Sequence, residues 1–366
     1  MDFALSPEQT ALATNERNWL AKNDPIAIRR PEIDSEPARV DPRALAHVTE
    51  SGFVGLLMDD IGGSYVDLLV LVEEHGRAAS SVPVAELALA TKLLAGTGTF
   101  RSVAEQAAEG EAFVTPVIGS PEGPALTAGT TSRGLHISGT AAPGPGRSDA
   151  TGYVALADLC DGRRVAAHVP AETAGVSIRT MDTLDLTRDW TAVHLDVELD
   201  EGQWCVVDHD VADELRDAMA LFRAVDALGA ADRLLEGTVE YALSRTQFGQ
   251  SIGSFQAIKH HCANMAVAIE SSRAAAWAAA VALDGSDSAT RRRAVSAAAA
   301  HVGTHASETA QLALQVHGGI GFTWEHDLHL LLRRIKVDEA LDGSVAYHRR
   351  RLITTRPGTD TTTEEQ

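Results

Sequence analysis

From about residue 208 to about residue 352 the apolar residues recur at three- and four-residue steps, as in Leu215, Met219, Phe222 and Val225. This long helical register limits the fold more than any other feature. It breaks at residues 245–256, at Asp284-Gly285 and at a glycine-rich run after His317. Four long helices follow: one from about residue 208, a second over about 254–283, a third from a cap at Asp287 or Ser288 to about His317, and a fourth over about 327–352. Long helices with short connections point to a bundle.

The region before it has another character. Phe113-Val114, Leu135-His136-Ile137, Tyr153-Val154-Ala155-Leu156, Val165 to Val169 and Val193 to Val197 are short β-type runs between Gly and Pro clusters. They predict a small β-barrel or sandwich over residues 112–206. The start is helical again. Ser6, Pro7 and Gln9 form a capping-box pattern, and Leu12, Trp19 and Leu20 give a sparse apolar stripe. A Pro-rich stretch over 25–42 interrupts it, Gly62-Gly63 makes a turn, and 65–94 is helical with a break near Ser80-Ser81-Val82-Pro83. Segregated helices, strands and helices imply separate units rather than an alternating parallel sheet. The expected fold is α+β, mainly α: an N-terminal helical domain over 1–111, a central β-barrel over 112–206, a C-terminal four-helix bundle over 207–355, and a Thr- and Glu-rich tail over 356–366 expected to be disordered.

The net charge of −20 repels phosphate backbones and anionic lipid, so neither nucleic acid nor a membrane is an expected partner. No uncharged apolar run reaches membrane-spanning length. The N-terminus lacks the basic and apolar regions of a signal peptide. Cys160, Cys205 and Cys262 show no metal or redox spacing, which suits reduced thiols in the cytoplasm; no metal is expected.

Three constellations carry chemistry. In Arg245-Thr-Gln-Phe-Gly-Gln-Ser-Ile-Gly-Ser-Phe-Gln256, glycines permit close approach, Arg245 suits a pyrophosphate and the aromatics suit a planar ring. An ordinary helix–helix connection explains the same residues. Gln315-Val-His-Gly-Gly-Ile-Gly-Phe322 crowds backbone amides where a helix ends, as an anion cradle or a plain C-terminal cap. In Asp338-Glu339-Ala-Leu-Asp342-Gly-Ser344, Asp338 and Glu339 read as solvated helix surface, while Asp342 precedes an unusual Gly-Ser.

Together these phrases resemble the acyl-CoA dehydrogenase family. So do Met1-Asp2-Phe3 with Leu5-Ser6, Gly62-Gly63 with Glu73-Glu74-x-Gly76-Arg77, and Met181-x-x-Leu184-Asp185-x-Thr187-Arg188. The likeness spans residues 1 to about 355 and is most specific from Arg245 to Ser344. It implies an FAD-dependent flavoprotein of fatty acid or lipid catabolism that α,β-dehydrogenates an acyl-CoA thioester by α-proton abstraction and hydride transfer to flavin. Arg245, Gln247 and Phe248 would meet the cofactor's diphosphate and adenosine, with Phe255 and Gln256 nearby. Gln315, Val316, Gly318 and Gly319 would approach it from a neighbouring subunit, and Ser344 would touch it. The resemblance also implies a homo- or hetero-tetramer with a related subunit, and an electron-transferring flavoprotein as acceptor. The family's catalytic Glu falls on Asp342, one methylene or roughly 1.5 Å shorter. Met219 stands at the family's other base position. Thr115-Pro-Val-Ile-Gly-Ser120 and Pro143-Gly-Pro-Gly146 depart from its flavin-contact phrases. These departures support the alternative of a non-catalytic partner subunit in a heteromer acting on sterol side-chain or other bulky acyl-CoAs.

Overall fold

The computed structural model describes residues 5–35 and 38–355. The expectations for Met1-Asp2-Phe3 and for the 356–366 tail lie outside these residues. The α–β–α order expected from the sequence holds. Helices α1 (Pro7–Asn23), α2 (Ile26–Ile33), α3 (Pro42–Glu50), α4 (Tyr65–Ala78), α5 (Val84–Gly96) and α6 (Arg101–Ala108) precede the strands. The capping box closes α1: Ser6 Oγ accepts the Gln9 N–H at 3.2 Å, and Gln9 Oε1 accepts the Ser6 N–H at 3.0 Å.

Nine strands follow: β1 (Val114–Val117), β2 (Thr127–Thr130), β3 (Gly134–Thr140), β4 (Gly144–Pro145), β5 (Gly152–Leu159), β6 (Arg164–Pro170), β7 (Val176–Thr180), β8 (Trp190–Asp200) and β9 (Trp204–Val207). They form one mixed sheet in the order β4-β8-β3-β2-β5-β6-β9, with β1 on β5 and β7 on β8. The β-rich middle expected as a small barrel or sandwich is thus one mixed sheet, and among the described residues no ladder joins β4 to β9. Alternation gives the sheet two apolar faces. Val117, Tyr153, Ala155 and Ala167 pack in the sheet's own core, while Val114, Val154, Leu156 and Ala166 join the core of the helices.

The helical region contains α7 (His209–Ser244), a two-residue hairpin of β10 (Thr246–Gln247) and β11 (Gln250–Ser251), then α8 (Gln256–Leu283), α9 (Ser288–His317), α10 (Leu328–Ala340) and α11 (Val345–Thr354). The expected fourth helix is therefore two. Asp342 and Gly343 take φ of 56° and 105°, which an α-helix cannot contain. Although α8 is long and apolar enough to span a membrane, its buried Met265, Ile269 and Ala276 face the protein core.

Helices α4 and α7 cross at glycines. A Cβ at Gly76 would lie 2.2 Å from the Asp226 carbonyl oxygen, and one at Gly229 would lie 2.0 Å from that of Glu73. This close crossing buries Asp226. Its carboxylate accepts two bonds from Arg188 at 3.1 Å and two from Arg334 at 2.8 Å. The same guanidiniums bind the Ser80 carbonyl at 3.1 and 3.0 Å. One side chain thus ties α7, α10, the approach to β8 and the α4–α5 link. Burial alone would raise the Asp226 pKa, but the two arginines hold it far below the carboxylate range. Asp226→Ala leaves two buried guanidiniums without their counter-charge. It is expected to lose about 3–5 kcal/mol, read from the denaturant midpoint with an unchanged m-value.

Candidate functional site

Asp342 occupies the break between α10 and α11, and its side chain is almost fully buried. Its carboxylate accepts from Arg223 Nε at 3.1 Å. Arg223 Nη2 donates to Glu86 at 2.8 Å, Nη1 lies 3.8 Å from Asp338, and the guanidinium stands 5.1 Å from the buried Trp190 ring. Burial opposes the Arg223 charge, but Glu86, Asp342 and Asp338 more than restore it and raise its pKa. Asp338, expected at the surface, is fully buried. It falls four residues after Arg334 on the inward stripe of α10. Burial and the neighbouring Asp226 charge push its pKa well above the carboxylate range. Glu339 is half-buried, paired with Lys336 at 2.8 Å.

A second arginine closes the sheet side. Arg147 is buried, and its guanidinium donates to the carbonyls of Ala142, Pro116 and Thr191 rather than to a carboxylate. Burial lowers its pKa to about 10. Gly144 makes the room: a Cβ there would lie 2.5 Å from the guanidinium. Residues 143–146, where the family phrase is missing, thus wrap an internal cation. Behind Arg223, between Met219, Phe222, Glu86 and Asp226, the open space is only about 10 Å³.

In front of Asp342 a pocket of about 450 Å³ opens between α7, α9, α11 and the β1–β2 loop. Arg164, Arg216, Arg292 and Arg351 line it with Asp213, Asp217 and His348. An acidic protein has gathered four arginines around one cavity, which the overall charge concealed.

The other motifs lie elsewhere. Tyr241 of α7 stacks on His317 at 4.5 Å, which sets the β10–β11 hairpin beside the turn at Gly318. Tyr241, just before the Arg245 phrase, was not singled out from the sequence; His317 lies inside the Gln315–Phe322 phrase. Arg245, Gln247, Phe248, Gln256, Gln315, Gly318 and Gly319 are exposed; Phe255 is half-buried and Val316 is buried. Among the described residues the Arg245 side chain has no hydrogen bond or ion pair. A Cβ at Gly249, Gly318 or Gly319 would meet nothing within 4 Å. Phe248 is 93% exposed at a φ of 52°, a strained conformation for a bulky residue. Free cation, open glycine backbone and displayed ring together fit a planar, diphosphate-bearing group. Ser344 does not join this surface: its N–H is taken by Glu122 at 3.1 Å and its Oγ by the Tyr347 N–H at 3.1 Å. From Arg223 to Tyr241, α7 runs 18 residues, roughly 27 Å. Acid and hairpin are therefore at opposite ends of the site region.

Residues 211–355 match the model of the acyl-CoA dehydrogenase C-terminal domain. The chain is 30% identical to the acyl-CoA dehydrogenase IpdE2 of Mycolicibacterium smegmatis over 80% of its own length and 79% of that protein. It belongs to the acyl-CoA dehydrogenase family. Among its relatives, IpdE2 of Mycobacterium tuberculosis is 46% identical over 33% of this chain and 36% of that one. FadE34 of the same organism is 35% identical over 81% of this chain, yet this chain spans only 39% of FadE34. The fold matches a chain of the ChsE4-ChsE5 complex from Mycobacterium tuberculosis with a TM-score of 0.88 at 22% identity, covering 98% of this chain and 100% of that one.

His348 lines the pocket and contacts the Asp342 carbonyl at 3.3 Å. Burial, with Arg351 nearby, lowers its pKa to about 4. An unfolded histidine titrates near ~6.5. Below that pH the unfolded chain binds a proton that the folded chain refuses. The stabilisation is therefore complete above about pH 6.5 and is lost as pH falls to about 4, on the order of 3 kcal/mol at most. Denaturant titrations at stepped pH are expected to show this slope in the wild type and a shallower one in His348→Gln.

Proposed function

We propose that this chain is one subunit of a heteromeric FAD-dependent acyl-CoA dehydrogenase. It lends its hairpin and glycine turn to a cofactor shared with a related subunit, while its own acid position is closed. The observation that carries this reading is Arg223. It neutralises Asp342 and is anchored from behind by Glu86, with only about 10 Å³ of open space behind it. A general base must reach the substrate's α-proton, and this carboxylate is already held by a guanidinium.

The cofactor assignment rests on the exposed Arg245, the open Gly318 and Gly319, and the displayed Phe248. These residues would hold the diphosphate and adenosine half. FAD, when bound, accepts the β-hydride of the thioester. The α-proton goes to a carboxylate, which in this reading belongs to the partner. The exposed Leu243, Phe248, Ile320, Phe322 and Trp324 form the kind of apolar surface that subunits cover. The likeness to a chain from a two-component complex supports a heteromer. The arginine-lined pocket supports CoA as the ligand class, since its phosphates need a basic site. The electron acceptor in this reading is an electron-transferring flavoprotein.

One observation favours a second reading, turnover by Asp342 itself: the same pocket reaches that carboxylate. The two separate in one experiment. The purified chain alone is expected to show no dye-coupled oxidation of acyl-CoAs. In the complex with a related subunit, Asp342→Asn is expected to keep activity within about tenfold, whereas loss of a working base costs about 10²–10⁴. Arg245→Ala is expected to release flavin from the complex, seen in its absorbance spectrum. A yellow oligomer of this chain alone that oxidises acyl-CoA, and loses that activity in Asp342→Asn, establishes the second reading instead.

A further inference from the structure

The loop over residues 119–124, between β1 and β2, closes one side of the arginine-lined pocket through Ser120 and Pro121. It is a self-contained turn: Ser120 accepts the Gly123 N–H at 3.1 Å on its carbonyl and the Glu122 N–H at 3.4 Å on its hydroxyl. Its hold on the opposite wall is one carboxylate. Glu122 accepts the Ser344 N–H at 3.1 Å, at the start of α11, and donation from Arg350 Nη2 at 2.8 Å. Among the described residues these are the loop's hydrogen bonds to residues 342–355.

We propose that this loop is a latch on the pocket, fastened by Glu122 and displaced when a phosphate-bearing CoA ligand enters. The proposal rests on the reading of the pocket as a CoA site. Glu122 holds its charge, since its bonds to Ser344 and then to Arg350 lower its pKa. It presents a negative charge next to the loop residues that wall a cavity lined by four arginines and three aspartates, and it occupies two groups that a phosphate would also seek: an exposed arginine and the N-terminal end of a helix. The fastening suits a part that opens. Arg350 is 64% exposed and Glu122 38%, and ion pairs in water hold little against thermal motion. Nothing else ties the loop to α11, so release of Glu122 frees the turn without unpicking the sheet.

The test uses the full chain, free CoA as probe, and Glu122→Ala with Glu122→Gln. Titration calorimetry at fixed ionic strength is expected to give about three-fold tighter CoA binding in both variants, the size of one charge at a helix end. Hydrogen exchange of residues 119–124 is expected to quicken in both variants without CoA, and in the wild type when CoA is added. CoA binding to the wild type with equal or weaker binding to the variants overturns the latch. Unchanged exchange in the variants also overturns it, because the loop would then be held by something else. If exchange quickens but neither wild type nor variants bind CoA, the CoA reading of the pocket fails, and the latch loses its ligand for that separate reason.

Discussion

The Asp226 carboxylate, held between Arg188 and Arg334, is the contact on which the rest of the architecture depends. Four segments that are remote in sequence converge on it, and each brings a group that cannot be buried alone. Charged groups are costly to bury singly and tolerable together, so the cluster forms whole or not at all. The glycine crossing of α4 and α7 is its geometric counterpart. Two backbones that touch leave no space for water, and the carboxylate beside them must be satisfied by protein. Asp338 extends the same logic: it is buried beside Asp226, its pKa is pushed up, and Arg223 Nη1 lies 3.8 Å away.

Arg223 adjoins this cluster and carries its consequence into the candidate site. An arginine paired in front with Asp342, behind with Glu86, and laid against Trp190 is fixed on three sides. Arg147 does the equivalent on the sheet side with backbone carbonyls. The interior near Asp342 is thereby filled with matched charge. In the partner-subunit reading, this is what leaves Asp342 without a free carboxylate. The pocket beyond Asp342 remains open, and its arginines are held on its walls by Asp213 and Asp217.

Much of the architecture is legible in the sequence. The Ser6-Pro7-Gln9 box, the stripe through Leu215 and Val225, and the strand runs all express local rules that hold in the folded chain. The glycine and aromatic phrases around residues 245 and 318 are legible as a resemblance, and their exposure suits what it implies. The illegible parts share a cause. Glu86 pairs with Arg223 across 137 residues, and no periodicity reports such a partner. Asp338 reads as surface because its burial is decided by Asp226 and Arg223, which lie on another helix. The break at Asp342-Gly343 is hidden in an unbroken helical pattern because it is a matter of two dihedrals. The basic pocket is invisible beneath a net charge of −20, since composition carries no positions.

The distance along α7 between the hairpin and Arg223, the partner of Asp342, has an evolutionary side. When the two ends of one helix serve two different cofactor sites, damage at one end is felt in one site and damage at the other end in another. A duplicated gene can then let its acid end drift while its hairpin end stays under full selection, because the neighbour still needs it. In the partner-subunit reading, a chain whose acid end is closed stays indispensable in this way, because the activity of the complex still depends on its hairpin.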